Sequence, residues 1–408
     1  MADRIAVRVA DNIVSPLGFT SADNYAAVKS GSSVLQRYEG LWGLPTPFAA
    51  SMIRRDEVLT ACAEAGISGP FTFFEQMVLL SVSKALQQCD VDMTSEHTLF
   101  ILSTTKGNVE LLSDVSHQPS DITHQPSDIS HQPSPISHQT SDISHQLLGV
   151  TAKAIADYFH SPNEPVVVSN ACISGLCAQI EAVRLIRAGY YDTVVVCGAD
   201  VLSPFIVSGF QSLMALSDEP CRPFDEDRLG INLGDAAATI IYKGIAADEL
   251  KAGQWYVARD AIRNDAFHIS GPSRTGEGCW RALQSVLKDS DTNDIAFLNA
   301  HGTATLFNDE MESVAIDRAG LNEVPVNSLK GYFGHTMGAA GVLETIISMQ
   351  ALDDGLVLGT KGFEHLGVSK HINVSAENKH TTKHAFVKMM SGFGGCNAAL
   401  LMKKGGTA

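Results

Sequence analysis

One thiol and two imidazoles in this chain stand at turns where a side chain can be presented for chemistry. Cys172 closes the stretch Val166-Val167-Val168-Ser169-Asn170-Ala171-Cys172. The β-branched run reads as a buried strand, and residues 174–187 read as a mostly apolar helix. Cys172 therefore falls where a strand turns into a helix. The helix dipole and the free N–H groups there would stabilise a thiolate. His301 opens His301-Gly302-Thr303-Ala304-Thr305 after a strand at 295–299, and His335 lies in Gly334-His335-Thr336-Met337-Gly338 before a helix running to about Leu352. A lone cysteine in an apolar stretch is more often inert core, and a lone histidine more often a satisfied core residue. Three such groups, each beside a polar or glycine-flanked turn, point to one pocket. A cysteine with two neutral imidazoles suits acyl transfer through a thioester. The imidazoles could also donate to an enolate oxygen that develops during decarboxylation. The backbone amides of Cys172 and Phe393 are candidate oxyanion donors, because the glycines around Phe393 permit close approach.

The elements that must position these groups alternate strand and helix in both halves, which indicates an α/β protein. A length of 408 residues suits two domains or one large duplicated unit. The chain turns polar at 243–253, which sets the boundary between halves at 1–245 and 246–408. Cys172 lies in the first half, the histidines in the second. A formal charge of −16 argues against nucleic acid as a partner. An acidic partner would need a local basic patch. No run approaches 18 apolar residues, so no membrane span is expected, and the N-terminus lacks a signal-peptide core. The eight cysteines include no CxxC pair, so neither a zinc site nor a disulfide framework is indicated and a reducing cytoplasm fits best.

Residues 116–146 form four near-identical heptads and a fragment, with His117, His124, His131, His138 and His145 in register. Each unit offers one apolar residue and most carry a proline, which excludes a coiled-coil seam. The stretch reads as an exposed, disordered insertion whose deletion should leave the fold intact. Its histidines could bind metal adventitiously, but no functional metal site is expected.

Taken together the motifs resemble those of the elongating β-ketoacyl–acyl carrier protein synthases of the thiolase superfamily. The resemblance rests on Asn170-Ala171-Cys172, on His301 to Thr305 with Ala304 where glycine is usual, on Lys330 with Gly334-His335, and on Gly392-Phe393-Gly394-Gly395. It covers nearly the whole chain outside the repeat. It implies a thiolase-like five-layered αβαβα duplication, usually a homodimer. It implies that Cys172 accepts an acyl chain from an acyl carrier protein and that His301 and His335 assist malonyl decarboxylation. Lys330 would pair with Glu344, Thr303 and Thr305 would contact the phosphopantetheine arm, and Phe393 would gate the acyl pocket. Asp309 and Glu312 resemble acidic positions that organise the site, or form a helix N-terminal charge cluster. The reaction would be a decarboxylative Claisen condensation with no cofactor bound by the enzyme, in fatty acid, polyketide or aryl-polyene assembly. Ser391 replaces a frequent aromatic residue, Cys396 a threonine and Asp235 a glutamate. A thiolase would use Cys396 as a second catalytic cysteine, but the paired histidines and Lys330 argue against it. In an initiating synthase an asparagine would stand at His335. A non-catalytic chain-length-factor-like subunit would typically lack Cys172, although a heterodimer with this chain as the active half is compatible with the motifs.

Overall fold

The computed structural model describes residues 4–112 and 143–406. Two sets of five strands carry the architecture. The first comprises β1 (Arg4–Val14), β2 (Thr98–Ser103), β3 (Val166–Val168), β4 (Thr193–Asp200) and β5 (Ala236–Ala246). The second comprises β6 (Trp255–Asn264), β7 (Ile295–Asn299), β8 (Pro325–Asn327), β9 (Ala385–Gly392) and β10 (Cys396–Lys404). The spatial order is β3-β2-β4-β5-β1 in one and β8-β7-β9-β10-β6 in the other, which is the same order counted along each half. Both contain three parallel strands followed by two antiparallel neighbours. The two sets touch edge to edge through Val7 and Tyr256.

The helices repeat as well. α1 (Phe73–Leu86), α2 (Leu148–Tyr158) and α3 (Ser174–Arg187) are interleaved with the first strands, and α4 (Pro204–Ser212) follows β4. α5 (Glu277–Leu287), α6 (Leu306–Arg318) and α7 (Ala340–Asp353) occupy the matching places in the second half. Strand alternation sorts the side chains into layers. Val194 and Val196 of β4 join a central core with α3 and α7, while Val195 and Cys197 face an outer core with α1 and α2. On β10, Leu400 and Met402 point to the centre, and Ala399 and Leu401 face α5 and α6. The result is five layers: helices, sheet, the α3/α7 pair, sheet, helices.

The central pair explains why its sequence is so rich in small residues. A Cβ on Gly341 would lie 2.4 Å from the Leu176 nitrogen, and one on Gly175 would lie 2.6 Å from the Gly338 carbonyl oxygen. Only hydrogen fits at this crossing. Cys172 precedes α3 and His335 precedes α7, so the crossing brings the two catalytic candidates to the same end of the central layer.

Two expectations need correction. Val166–Val168 is a strand but only half-buried, because β3 is an edge strand that pairs on one side, with β2. The insertion read as disordered over 116–146 lies outside the described residues up to 142, but its last four residues do not. Ile143–Gln146 forms a 3₁₀ turn. His145 Nδ1 lies 2.6 Å from Glu75 Oε1, and the His145 carbonyl accepts from Asn108 and Thr151. Glu75 is fully buried and also closes a capping box with Thr72. A buried carboxylate requires partners, and the final repeat unit supplies one. No helix among the described residues is long and apolar enough to cross a membrane.

Candidate active site

Cys172 is delivered by a sharp turn between β3 and α3. Ala171 takes a left-handed φ of 44°, the Asn170 amide donates to Ser174 Oγ at 2.8 Å, and that hydroxyl donates to the Ala171 carbonyl at 2.6 Å. The turn places Cys172, 7% exposed, in a cavity of about 500 Å³ that His301, His335, Thr303, Thr305 and Phe393 also line. The Cys172 sulfur and one nitrogen of each histidine lie within 4.8 Å of one another. The two imidazole rings meet edge to face at 5.1 Å. Three residues scattered over the sequence thus form one cluster. A soft divalent cation could bridge the same three atoms, but no fourth His, Cys, Asp or Glu belongs to that cluster among the described residues.

Burial decides the protonation states. It pushes the Cys172 thiol up to about 11, and the Lys330 ammonium and the Phe393 amide pull it back only in part. The expected thiolate is therefore absent near neutral pH: at this helix end desolvation outweighs the dipole. Burial also holds both imidazoles well below their usual value, with Lys330 and Lys388 adding to the effect. Both are neutral. The Met337 amide donates to His335 Nδ1 at 3.3 Å, which assigns the proton to Nε2. His335 Nε2 and His301 Nδ1 are buried without a partner among the described residues. An unspent N–H inside a cavity is a donor awaiting a ligand.

The His301 turn is held by carboxylates. Glu312 accepts from the His301 and Gly302 amides at 2.7 Å each, and Asp309 accepts from Thr303 at 3.0 Å and Phe224 at 2.7 Å. Both acids are fully buried, so they organise the turn rather than forming a solvated charge cluster. Ala304 adopts φ 60°, the left-handed conformation that accounts for the glycine usual at this position. Thr303 and Thr305 face each other, hydroxyl to hydroxyl, at 2.8 Å.

The Phe393 turn packs on the nucleophile. Its amide faces the Cys172 sulfur and works against the rise in that thiol's pKa. A Cβ on Gly392 would sit 3.2 Å from the Cys172 nitrogen, so the two proposed oxyanion donors are neighbours. Cys396, in place of threonine, donates its thiol to the Phe393 carbonyl at 3.2 Å and braces the same turn. Ser391 donates to Asn397 Oδ1 at 2.8 Å. Asp235 is buried away from the cavity lining, where it accepts from the Ile53 and Leu202 amides.

Lys330 pairs with Glu344, both buried. Sequence reading missed that Glu344 also receives Lys388, at 2.6 Å. The signal was available: a lysine in the middle of Ala385-Phe386-Val387-Lys388-Met389-Met390 has no route to solvent. Burial pushes Glu344 up, but the two ammonium groups outweigh it and the net shift is down. Asp200, at the end of β4, was also missed. It accepts from the Gly338 amide at 2.7 Å and from Thr104 and Thr105, tying the His335 turn to the first half.

Comparison with known proteins agrees with this geometry. The family model for the β-ketoacyl synthase N-terminal domain matches residues 72–245, and the C-terminal domain model matches residues 256–364, together more than half of the chain. The chain is 34% identical over 258 residues to 3-oxoacyl-[acyl-carrier-protein] synthase 2 of Vibrio cholerae, covering 59% of this chain and 62% of that one. It is 33% identical to the tetracenomycin polyketide synthase ketoacyl synthase alpha subunit of Streptomyces glaucescens, over 58% of this chain and 59% of that one. The matched region spans about six-tenths of the length of these curated relatives. Among solved structures, a β-ketoacyl synthase from Burkholderia phymatum superposes with a TM-score of 0.81 at 22% identity, over 99% of this chain and 100% of that one. A ketosynthase in complex with its chain length factor from Xenorhabdus doucetiae gives the same score and identity over 98% of each chain. At such identities the structures establish a shared fold, which is thiolase-like. The chain belongs to the β-ketoacyl synthase family.

Proposed function

We propose that this chain is an elongating 3-oxoacyl-[acyl-carrier-protein] synthase. The observation that carries the reading is the cluster of Cys172, His301 and His335 at a shared cavity, with both imidazoles neutral. The Cys172 sulfur attacks a carrier-bound acyl thioester. Its proton passes through a neutral imidazole to the departing thiolate, and the amides of Cys172 and Phe393 hold the oxyanion. A malonyl thioester then binds with its carbonyl oxygen against the imidazole N–H donors. Its carbon–carboxylate bond breaks, carbon dioxide leaves, and the electron pair forms an enolate held by those donors. The enolate carbon attacks the acyl group on Cys172, the carbon–sulfur bond breaks with sulfur leaving as the thiolate, and that thiolate takes up a proton from solvent entering the cavity to restore the thiol. No step calls for a cofactor held by the enzyme. Thr303 and Thr305 line the route a phosphopantetheine arm would take. Phe393 stacks obliquely on Phe210 at 5.9 Å, which suits a gate to the acyl pocket.

The partners proposed are an acyl carrier protein and a second synthase subunit. The half-buried apolar edge strand β3 supports the second, since an open edge invites pairing. That subunit is proposed to be an identical copy. The solved ketosynthase–chain length factor complexes keep a heterodimer as the competing outcome of a mass measurement. Eight free thiols favour a cytoplasmic setting. A thiolase reading loses support because Cys396 does not line the cavity and is engaged with the Phe393 carbonyl. Intact mass spectrometry after incubation with carrier-bound acyl primers tests the assignment. Cys172→Ala should abolish covalent loading, and continued loading of that variant would refute the reading.

A further inference from the structure

We propose that Lys388 is a positioning residue for the decarboxylation step, a second buried ammonium that braces the His301 turn against Glu344 and sets positive charge behind both imidazoles. The proposal rests on the synthase reading above.

Lys388 Nζ donates to Glu344 Oε2 at 2.6 Å and to the Met389 carbonyl at 2.9 Å. It also reaches the carbonyls of Ala300 at 3.3 Å and Asn299 at 3.4 Å, the residues that lead directly into His301. Three site-bearing segments therefore meet at one carboxylate. Lys330 brings the segment before His335, Glu344 lies on α7 behind it, and Lys388 lies on the strand that runs into the Phe393 turn.

A structural pair would be complete without Lys388. Lys330 and Glu344 already neutralise each other in the core, and a third ionised group adds a desolvation cost that fold stability does not require. A lysine retained at such a cost beside reactive groups is a candidate for a role in their chemistry. The charged and titratable groups around the imidazoles are Lys330, Lys388, Glu344, Glu312, Asp309 and Cys172. Glu312 is engaged by the His301 and Gly302 amides and by Asn308, and acts on Lys388 through space rather than through a hydrogen bond among the described residues. Both lysines disfavour imidazole protonation.

The test compares wild type, Lys388→Met and Lys388→Gln by thermal melt, acyl loading and decarboxylation of carrier-bound malonyl thioester across pH. Methionine fits an apolar core and leaves the Lys330–Glu344 pair intact, so the variant should fold and load acyl groups within about twofold of wild type. Decarboxylation should fall by about tenfold, and its acidic limb should move up by about one pH unit, because loss of a nearby positive charge makes the imidazoles easier to protonate. Lys388→Gln keeps a donor for the carbonyls and should recover part of the rate but not the acidic limb. A folded variant with wild-type rate and an unmoved acidic limb would overturn the proposal. So would loss of fold in both variants, which would make Lys388 purely structural. A wild-type protein that does not decarboxylate malonyl thioesters would instead refute the synthase reading.

Discussion

Gly341→Ala should disable the site without touching any reactive group. The added Cβ would lie 2.4 Å from the Leu176 nitrogen and 2.8 Å from the Gly175 carbonyl carbon, both backbone atoms that cannot rotate aside. Ordinary contact begins at 3.4 Å, so α3 and α7 must separate by about 1 Å. Overpacking of this kind costs on the order of 3 kcal/mol. For a chain of this size that corresponds to a fall in Tm of about 3–4 °C. The larger effect is chemical. α3 follows Cys172 and α7 follows His335, so the separation pulls nucleophile and imidazole apart, and a displacement of about 1 Å can cost roughly a hundredfold in rate. Scanning calorimetry and single-turnover condensation with carrier-bound substrates measure both numbers. Gly149→Ala is the control: a Cβ there meets nothing within 4 Å, and alanine favours its helix. If Gly341→Ala matched the control in Tm and rate, the argument that the glycine crossing sets the catalytic distance would fail.

Other expectations follow from single contacts. Glu344→Gln leaves Lys330 and Lys388 without their shared carboxylate and should destabilise the fold by about 3–5 kcal/mol. Burial already lowers Lys388, so in the variant the folded chain holds fewer protons than the unfolded one. Melts should show the deficit narrowing from about pH 6 to about pH 8. Alkylation of Cys172 in the resting protein should rise about tenfold per pH unit from 7 to 10, since its thiol titrates near 11, and a plateau near pH 8 would contradict the burial argument. His145→Ala removes a partner of the buried Glu75 carboxylate and should lower stability by about 1–3 kcal/mol in denaturant titrations. Ala304→Gly relieves a left-handed alanine and should raise Tm slightly, with a gain of roughly 0.5–1 kcal/mol.

The clustering of Cys172, His301 and His335 was legible because reactive side chains stand at breaks in hydrophobic pattern, and those breaks survive folding as loops. Element types were legible for the same reason: Val194 to Cys197 alternates faces as its composition suggests. Lys388 and Asp200 were not recognised because their roles depend on which strands are neighbours, and strand order is a long-range property. Cys172 shows the limit in the other direction. Its place before a helix was read correctly, but the stabilised thiolate expected there is opposed by burial, which is invisible along the chain. The repeat misled through composition: His145 stands in a Ser-His-Gln triplet of the repeat, and its contact with the distant Glu75 cannot be read from that triplet.

The same burial gives the chain a safety catch. In the unfolded chain the thiol is solvated and titrates as an ordinary cysteine. Burial raises its pKa by about two pH units, to about 11, which lowers the thiolate fraction at neutral pH by about 100-fold. The resting protein is thereby shielded from peroxides and stray electrophiles during the intervals between substrates. On the proposed mechanism, reactivity returns when a thioester brings its own oxygen to the amides of Cys172 and Phe393. Any condition that unfolds the chain should therefore expose this thiol to covalent modification.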